Sequence, residues 1–275
     1  MAGGPFRCHV PPPLASFNLC SVPAPLLAST GFQRHPRPVH IQGVRRTHRR
    51  LFARLRRTPD AKARICRFQE YMDVAFRLHQ WRDEPDGSGR ASLRNSYFRY
   101  LRGWMADSNS REAAVLKAWA ESRFGLPPCH HGAPIRSLAD PSYLAYRTEA
   151  ARGEGRTNAL RLQLDLLFEF VQDEVRRRHP GHPEVLTLYR GIHDLDEHEV
   201  TARPAPDRVV VWLNNLVSFT RDPERAWEFG TRVLEVEVPT SKIVFDAPLL
   251  HTSLLAGEEE VLALGGQVEA RVRWW

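Results

Sequence analysis

Gly257-Glu258-Glu259-Glu260-Val261-Leu262-Ala263-Leu264 carries three consecutive carboxylates straight into an apolar run. In an extended segment side chains alternate between faces, so Glu258 and Glu260 share one face and Glu259 takes the other. Two carboxylates about 7 Å apart at a strand entrance can act on one ligand. An acidic run of this kind is otherwise a solvated face.

The strand character of that run continues upstream. Glu184 to Arg190, Val209 to Thr220, Arg232 to Val238, Lys242 to Phe245, Glu260 to Leu264 and Val268 to Trp274 are short runs, β-branched or alternating, that read as strands. One short helix interrupts them, with Asp222 as N-cap, Pro223 in the first turn and Gly230 as the stop.

The first half reads differently. A short basic helix fits Arg45 to Leu55, and helical spacing of Ile65, Phe68, Met72 and Phe76 predicts a helix from Asp60 to about Trp81. Another fits Asn95 to Ala106. Asn109 followed by Glu112 marks the start of the next, over 110–124, which Gly125 closes. Residues 126–155 read as loop. A long amphipathic helix follows from about Arg156 to Arg178, with Leu160, Leu164, Leu167, Phe168, Val171 and Val175 on one stripe. Helices first and strands afterwards predict an α+β fold. The expected organisation is an irregular segment over 1–44, a helical region over 45–150 and a ligand-binding core over 151–275.

Composition sets the class. The chain has 275 residues, 42% of them apolar and 26% charged, enough for a sizeable core. No apolar run approaches the roughly 20 residues of a bilayer span, and no charged-then-apolar signal pattern appears, so a cytoplasmic protein is expected. Cys8, Cys20, Cys66 and Cys129 share no metal-ligand spacing; Cys129-His130-His131 lacks a second ligand pair, so no metal is expected. The formal charge of +7 is uneven: residues 1–100 hold 18 Lys/Arg against 6 Asp/Glu. Such a front half suits an acidic partner. It could be a nucleic acid, but no DNA-reading motif is present and the basic residues alternate with apolar ones. An acidic protein face is the preferred reading.

Two further strand ends complete a constellation. Leu188-Tyr189-Arg190-Gly191 puts an arginine, whose planar fork matches phosphate oxygens, beside a glycine that admits a ligand to the backbone. Ser218-Phe219-Thr220 closes another strand with two hydroxyls on one face. The ordered set of Arg190, Ser218-x-Thr220 and Glu258-x-Glu260 resembles the R-S-E class of mono-ADP-ribosyltransferases. The resemblance reaches into the front half. Pro23 to Ser29, His40 to Arg45, Arg94 to Trp104, Asp107 to Ser110 and Glu121 to Leu126 look like the NAD–dinitrogen-reductase ADP-ribosyltransferases.

That resemblance implies a split, mixed β-core binding NAD as co-substrate, and transfer of ADP-ribose to an arginine of dinitrogenase reductase, reversibly stopping nitrogen fixation. It also implies control by PII signalling proteins. Arg190 and Gly191 would hold NAD phosphate, Ser218 would brace the site and Thr220 the strand edge. Glu260 would stabilise the sugar cation, and Glu258 would orient the acceptor guanidinium. Other acceptors, or NAD hydrolysis alone, remain open. The motif departs from many relatives in reading Ser-Phe-Thr for Ser-Thr-Ser, and three glutamates leave the register between Glu259 and Glu260 open. Trp227 and Phe229 read as core packing of the short helix, with nicotinamide stacking as the alternative.

Overall fold

The computed structural model describes residues 13–78, 96–154, 158–178, 185–249 and 260–274. Its helices are α1 Ala24–Leu27, α2 Thr30–Arg34, α3 Val44–Thr47, α4 Arg49–Arg56, α5 Ala61–Ala75, α6 Tyr97–Ala106, α7 Arg111–Phe124, α8 Pro141–Glu154, α9 Ala159–Arg178 and α10 Pro223–Trp227. A two-residue hairpin (β1 His130–His131, β2 Ala133–Pro134) precedes the main strands. These are β3 Val185–Ile192, β4 Glu199–Ala205, β5 Arg208–Thr220, β6 Arg232–Pro239, β7 Ile243–Asp246 and β8 Glu260–Trp274. The expected α+β order of helices before strands is the observed one.

The helix ends follow their capping chemistry. Asp60 accepts from the Ala63 amide at 2.7 Å to start α5, and Asp222 accepts from the Glu224 amide at 2.9 Å to start α10. Gly125 ends α7 in the left-handed region at φ +71°, which a glycine adopts without strain. Asn109 does not start that helix. Ser110 does, accepting from the Ala113 amide at 3.1 Å, while Asn109 accepts from the Gly132 amide and Glu112 pairs with Arg99. The basic helix expected over 45–55 is broken into α3 and α4 at His48, whose ring nitrogen is tied to the Tyr71 hydroxyl at 2.9 Å.

Residues 126–155 are not all loop. Helix α8 fills 141–154, and it escaped the sequence pattern because it buries just Tyr146 and Ala150, too thin a stripe to register. Residues 13–44 are less irregular than expected. They hold α1 and α2 and sink Leu27, Phe32 and Val39 completely into the main core.

Helix α9 is the central post. Its leucine stripe is buried as predicted, but so is most of the opposite side, including Asp165, Glu169 and Glu174. Each of these carboxylates holds an arginine from a different front-half segment. Arg123 grips Asp165 at 2.7 and 2.9 Å, and Arg64 grips Glu174 at 2.6 and 2.8 Å. Arg45 meets Glu169 at 2.5 Å, where the Ile41 amide also donates at 2.7 Å. Burial alone would raise the Glu169 carboxyl; the His40 and Arg45 bonds outweigh it and leave it below its usual range. Part of the basic excess is therefore internal structure, not surface.

The sheet runs in the order β4-β5-β3-β6-β8-β7, with β5 also paired to β8, and every described pairing is antiparallel. Strands β3, β6, β8 and β5 thus close a ring of ladders. The ring closes at a single β3–β5 pair, Tyr189 with Thr220. The two runs expected at 260–264 and 268–274 are one strand, β8, bent at Gly265-Gly266. The bend is needed because β5 bulges at Asn214-Asn215, and a Cβ on Gly265 would lie 1.7 Å from the Asn214 carbonyl. Gly266 takes φ +104°, a conformation that L side chains rarely adopt. Strand β4 is an edge strand with no fully buried residue, and so carries no clear apolar alternation that the sequence could show.

Candidate active site

Strand register brings the motif residues together. Thr220 stands opposite Tyr189 on one side and Glu260 on the other, and Ser218 stands opposite Leu262. Residues directly opposite in an antiparallel ladder share a face, as do residues two apart along a strand. Ser218, Thr220 and Glu260 therefore project to one side. Arg190, Gly191, Ser218, Thr220 and Glu260 all line a single cleft of about 430 Å³. Glu258 and Glu259 lie outside the described residues.

Within the cleft the Ser218 hydroxyl donates to Glu260 Oε1. A second donor reaches the same oxygen from the front half: Trp104 Nε1, on α6, donates to Glu260 Oε1 at 3.0 Å and to Ser218 Oγ at 2.8 Å. Arg190 Nη1 donates to the Ser218 backbone carbonyl at 3.1 Å, while its buried Nε meets no hydrogen-bond partner among the described residues. Burial draws the Arg190 guanidinium below the ordinary arginine value, and the negative charges of Glu197 and Glu260 oppose that shift. A desolvated guanidinium with an unmatched donor beside a cleft is suited to an anionic oxygen.

The remaining residues have more local duties. The Thr220 hydroxyl accepts from the Asp222 amide at 3.1 Å and so fixes the turn into α10. Gly191 serves packing as well as access: a Cβ there would fall 2.1 Å from the Ala226 carbonyl, so any side chain would push α10 off β3. Phe229 is not core. It is 63% exposed and stands at the cleft wall. Trp227 is half-buried.

A smaller cavity of about 90 Å³ lies behind the cleft, walled by Trp104, Arg190, His198 and Ser218. Burial, then the positive charge of Arg190, push the His198 imidazole down to about 3, so it is neutral. The Cys129-His130-His131 segment is engaged elsewhere. His131 bonds Glu149 at 3.1 Å and Lys117 at 3.3 Å, and Asn214 holds the His130 carbonyl. No group of three or more His, Cys, Asp or Glu among the described residues is placed to hold a metal ion.

Two contributors to the site lie in segments that carry the family resemblance, yet neither shows a site role by residue type or local pattern. Trp104 sits on the apolar stripe of an amphipathic helix and looks like any core aromatic. Asp107, at the cleft rim, follows that helix as an ordinary stop.

The chemistry of the site is that of a carboxylate fixed on one oxygen by neutral donors, a buried guanidinium nearby, and an open cleft before both. Such an arrangement stabilises a positive charge that develops in the cleft while holding an anion at its far side. The family model described as dinitrogenase reductase ADP-ribosyltransferase matches residues 17–272. The chain belongs to that family. The NAD(+)–dinitrogen-reductase ADP-D-ribosyltransferase of Rhodospirillum rubrum is 42% identical over 254 residues, covering 91% of this chain and 92% of the relative. No solved structure matches. The family match spans the helical half as fully as the sheet, so the resemblance is not confined to the three motif strands. No helix among the described residues is long and apolar enough to cross a membrane.

Proposed function

We propose that this protein transfers ADP-ribose from NAD to an arginine of dinitrogenase reductase, the iron protein of nitrogenase, and so switches nitrogen fixation off reversibly in the cytoplasm. The observation that carries the reading is the convergence of Arg190, Ser218 and Glu260, from three strands, on one cleft.

In this reading Arg190 holds NAD phosphate through charge-assisted hydrogen bonds, and Gly191 leaves room beside it. Glu260 faces the ribose. As the bond between ribose C1′ and the pyridinium nitrogen breaks, its electron pair goes to the leaving nicotinamide, which departs neutral. The positive charge left on the sugar is stabilised by the Glu260 carboxylate. A guanidinium nitrogen of the acceptor then bonds to C1′ and releases one proton. Glu258 orients that guanidinium and takes up the proton, since a guanidine with a pKa above about 12 is a poor nucleophile while fully protonated. No step needs a metal, because the leaving group is cationic from the start. Phe229, exposed on the cleft wall, is a platform against which the nicotinamide ring can stack.

The front half supplies a docking face for the protein substrate. Arg46, Arg49, Arg50, Arg54, Arg56 and Arg57 are exposed on and around α3 and α4, away from the internal pairs on α9. PII signalling proteins are the proposed regulators.

The test uses NAD labelled in its adenylate with purified dinitrogenase reductase. Glu260→Gln should abolish both transfer and NAD hydrolysis. Glu258→Gln should keep hydrolysis and lose transfer to arginine. Were Glu259→Gln the dead variant, the register assigned to the glutamates would be wrong.

A further inference from the structure

Trp104 belongs to the helical front half, yet its indole N–H ends on the two side chains at the reacting centre. It divides one hydrogen between Ser218 Oγ at 2.8 Å and Glu260 Oε1 at 3.0 Å. Ser218 sends its own hydroxyl hydrogen to the same carboxylate oxygen, so Oε1 collects two donors. The indole is 4% exposed, which gives its N–H little water as an alternative partner.

Its aim is fixed by packing. Helix α6 lies on α7 at Gly103, where a Cβ would fall 2.4 Å from the Glu112 Cβ, and Ser110 Oγ donates to the Gly103 carbonyl at 3.1 Å. Helix α7 is tied in turn to the strand that carries Ser218. From the β5 bulge, Asn215 Nδ2 donates to the Lys117 carbonyl at 2.9 Å and to the Leu126 carbonyl at 2.8 Å. The Lys117 ammonium lies 5.7 Å from the centre of the Trp104 ring, a cation near a π-face. The indole and Ser218 thus belong to one anchored frame.

We propose that Trp104 is a positioning residue: with Ser218 it holds the Glu260 carboxylate in its working orientation, and it ties the helical half of the protein to the reacting centre. The inference rests on Glu260 being the acting carboxylate. A carboxylate oxygen that loses one of these two donors is held less firmly, and misplacement by about 1 Å can cost about 100-fold in rate. NAD is gripped elsewhere, at Arg190, so the loss falls on turnover and not on binding.

Two variants separate this role from simple packing. Trp104→Phe removes the N–H and part of the ring. Installing 3-benzothienylalanine at position 104 by stop-codon suppression keeps shape and volume and removes the donor alone. Turnover should fall about 10- to 100-fold for both variants, in hydrolysis and in transfer alike. KM for NAD should move by less than about threefold, as expected when an interaction of the transition state alone is lost. Thermal stability of the benzothienyl protein should match wild type. Combined with Ser218→Ala, the losses should be smaller than their product, because both groups hold one oxygen. Wild-type turnover in the benzothienyl protein, or losses that multiply fully, would overturn the proposal while leaving Glu260 as the acting carboxylate. Hydrolysis retained in Glu260→Gln would sink both readings together.

Discussion

Arg190 reaches across the seam of the strand ring and donates from Nη1 to the carbonyl of Ser218, 28 residues later in the chain. The contact supplements the single Tyr189–Thr220 pair by which β3 meets β5. The same guanidinium thus joins two motif strands and faces the cleft.

A lysine at position 190 keeps the charge but loses the planar fork, so it cannot brace Ser218 and hold an anion at once. Arg190→Lys should raise KM for NAD about tenfold or more, the equivalent of one charge-assisted hydrogen bond. Initial rates against NAD concentration check it. An unchanged KM would remove Arg190 from the phosphate site.

The arginines bound to α9 predict stability effects with no catalytic component. Arg64 and Glu174 are buried and bonded through two parallel contacts. Arg64→Met should destabilise the protein by about 3 kcal/mol, because it leaves a buried carboxylate with only the more distant Arg177, 3.9 Å away. Pairing it with Glu174→Met should recover much of that loss, since two apolar groups replace a charged pair. Urea denaturation of both variants measures the difference.

Exposed arginines predict the opposite pattern. Charge reversal at Arg49, Arg50, Arg56 and Arg57 should leave thermal stability and NAD hydrolysis intact. It should lower transfer to the protein acceptor by about tenfold at low salt, with the gap narrowing as ionic strength rises. Equal losses in hydrolysis and transfer would count against a docking role.

Lys242 gives a pH dependence. It is fully enclosed, donates to the Gly265 carbonyl at 2.9 Å, and burial pushes it down from 10.5 to about 7. Between those two values the unfolded chain binds a proton that the folded protein has shed, so stability rises with pH across that window. Lys117, pushed down to about 8 chiefly by burial, acts with the same sign. Melting temperatures should therefore climb from pH 7 to pH 8.5, and Lys242→Met should flatten the climb.

The residues of the cleft that could be found by reading the chain are those at strand ends. Arg190, Ser218 and Glu260 announce themselves because a charged or hydroxyl side chain closes or opens an apolar run, and alternation then says which neighbours share its face. Trp104 could not be found that way. Helical periodicity reports that it faces inward, but not that its partner is 156 residues away on the last strand. Phe229 escapes such a reading for a related reason: aromatic character predicts burial, whereas its place on the cleft wall is a tertiary fact. Strand β4 and helix α8 are thin or one-sided elements, held by neighbours more than by their own pattern. The Gly265-Gly266 pair reads as a strand end because a glycine pair also marks turns, and only the β5 bulge opposite shows that the strand continues.

Gln33 accepts from the Glu269 amide at 2.8 Å and donates to the carbonyls of Glu237 at 3.1 Å and Glu269 at 2.9 Å. The amide of a residue near the front of the chain is thus a peg between β6 and β8. On the ribosome, where residues emerge at roughly 5–20 per second, this peg stays without its socket until residue 269 is out of the tunnel. Glu260 arrives in the same late stretch. A nascent chain therefore passes most of its synthesis with neither a closed core nor a complete cleft wall, and the two are completed together.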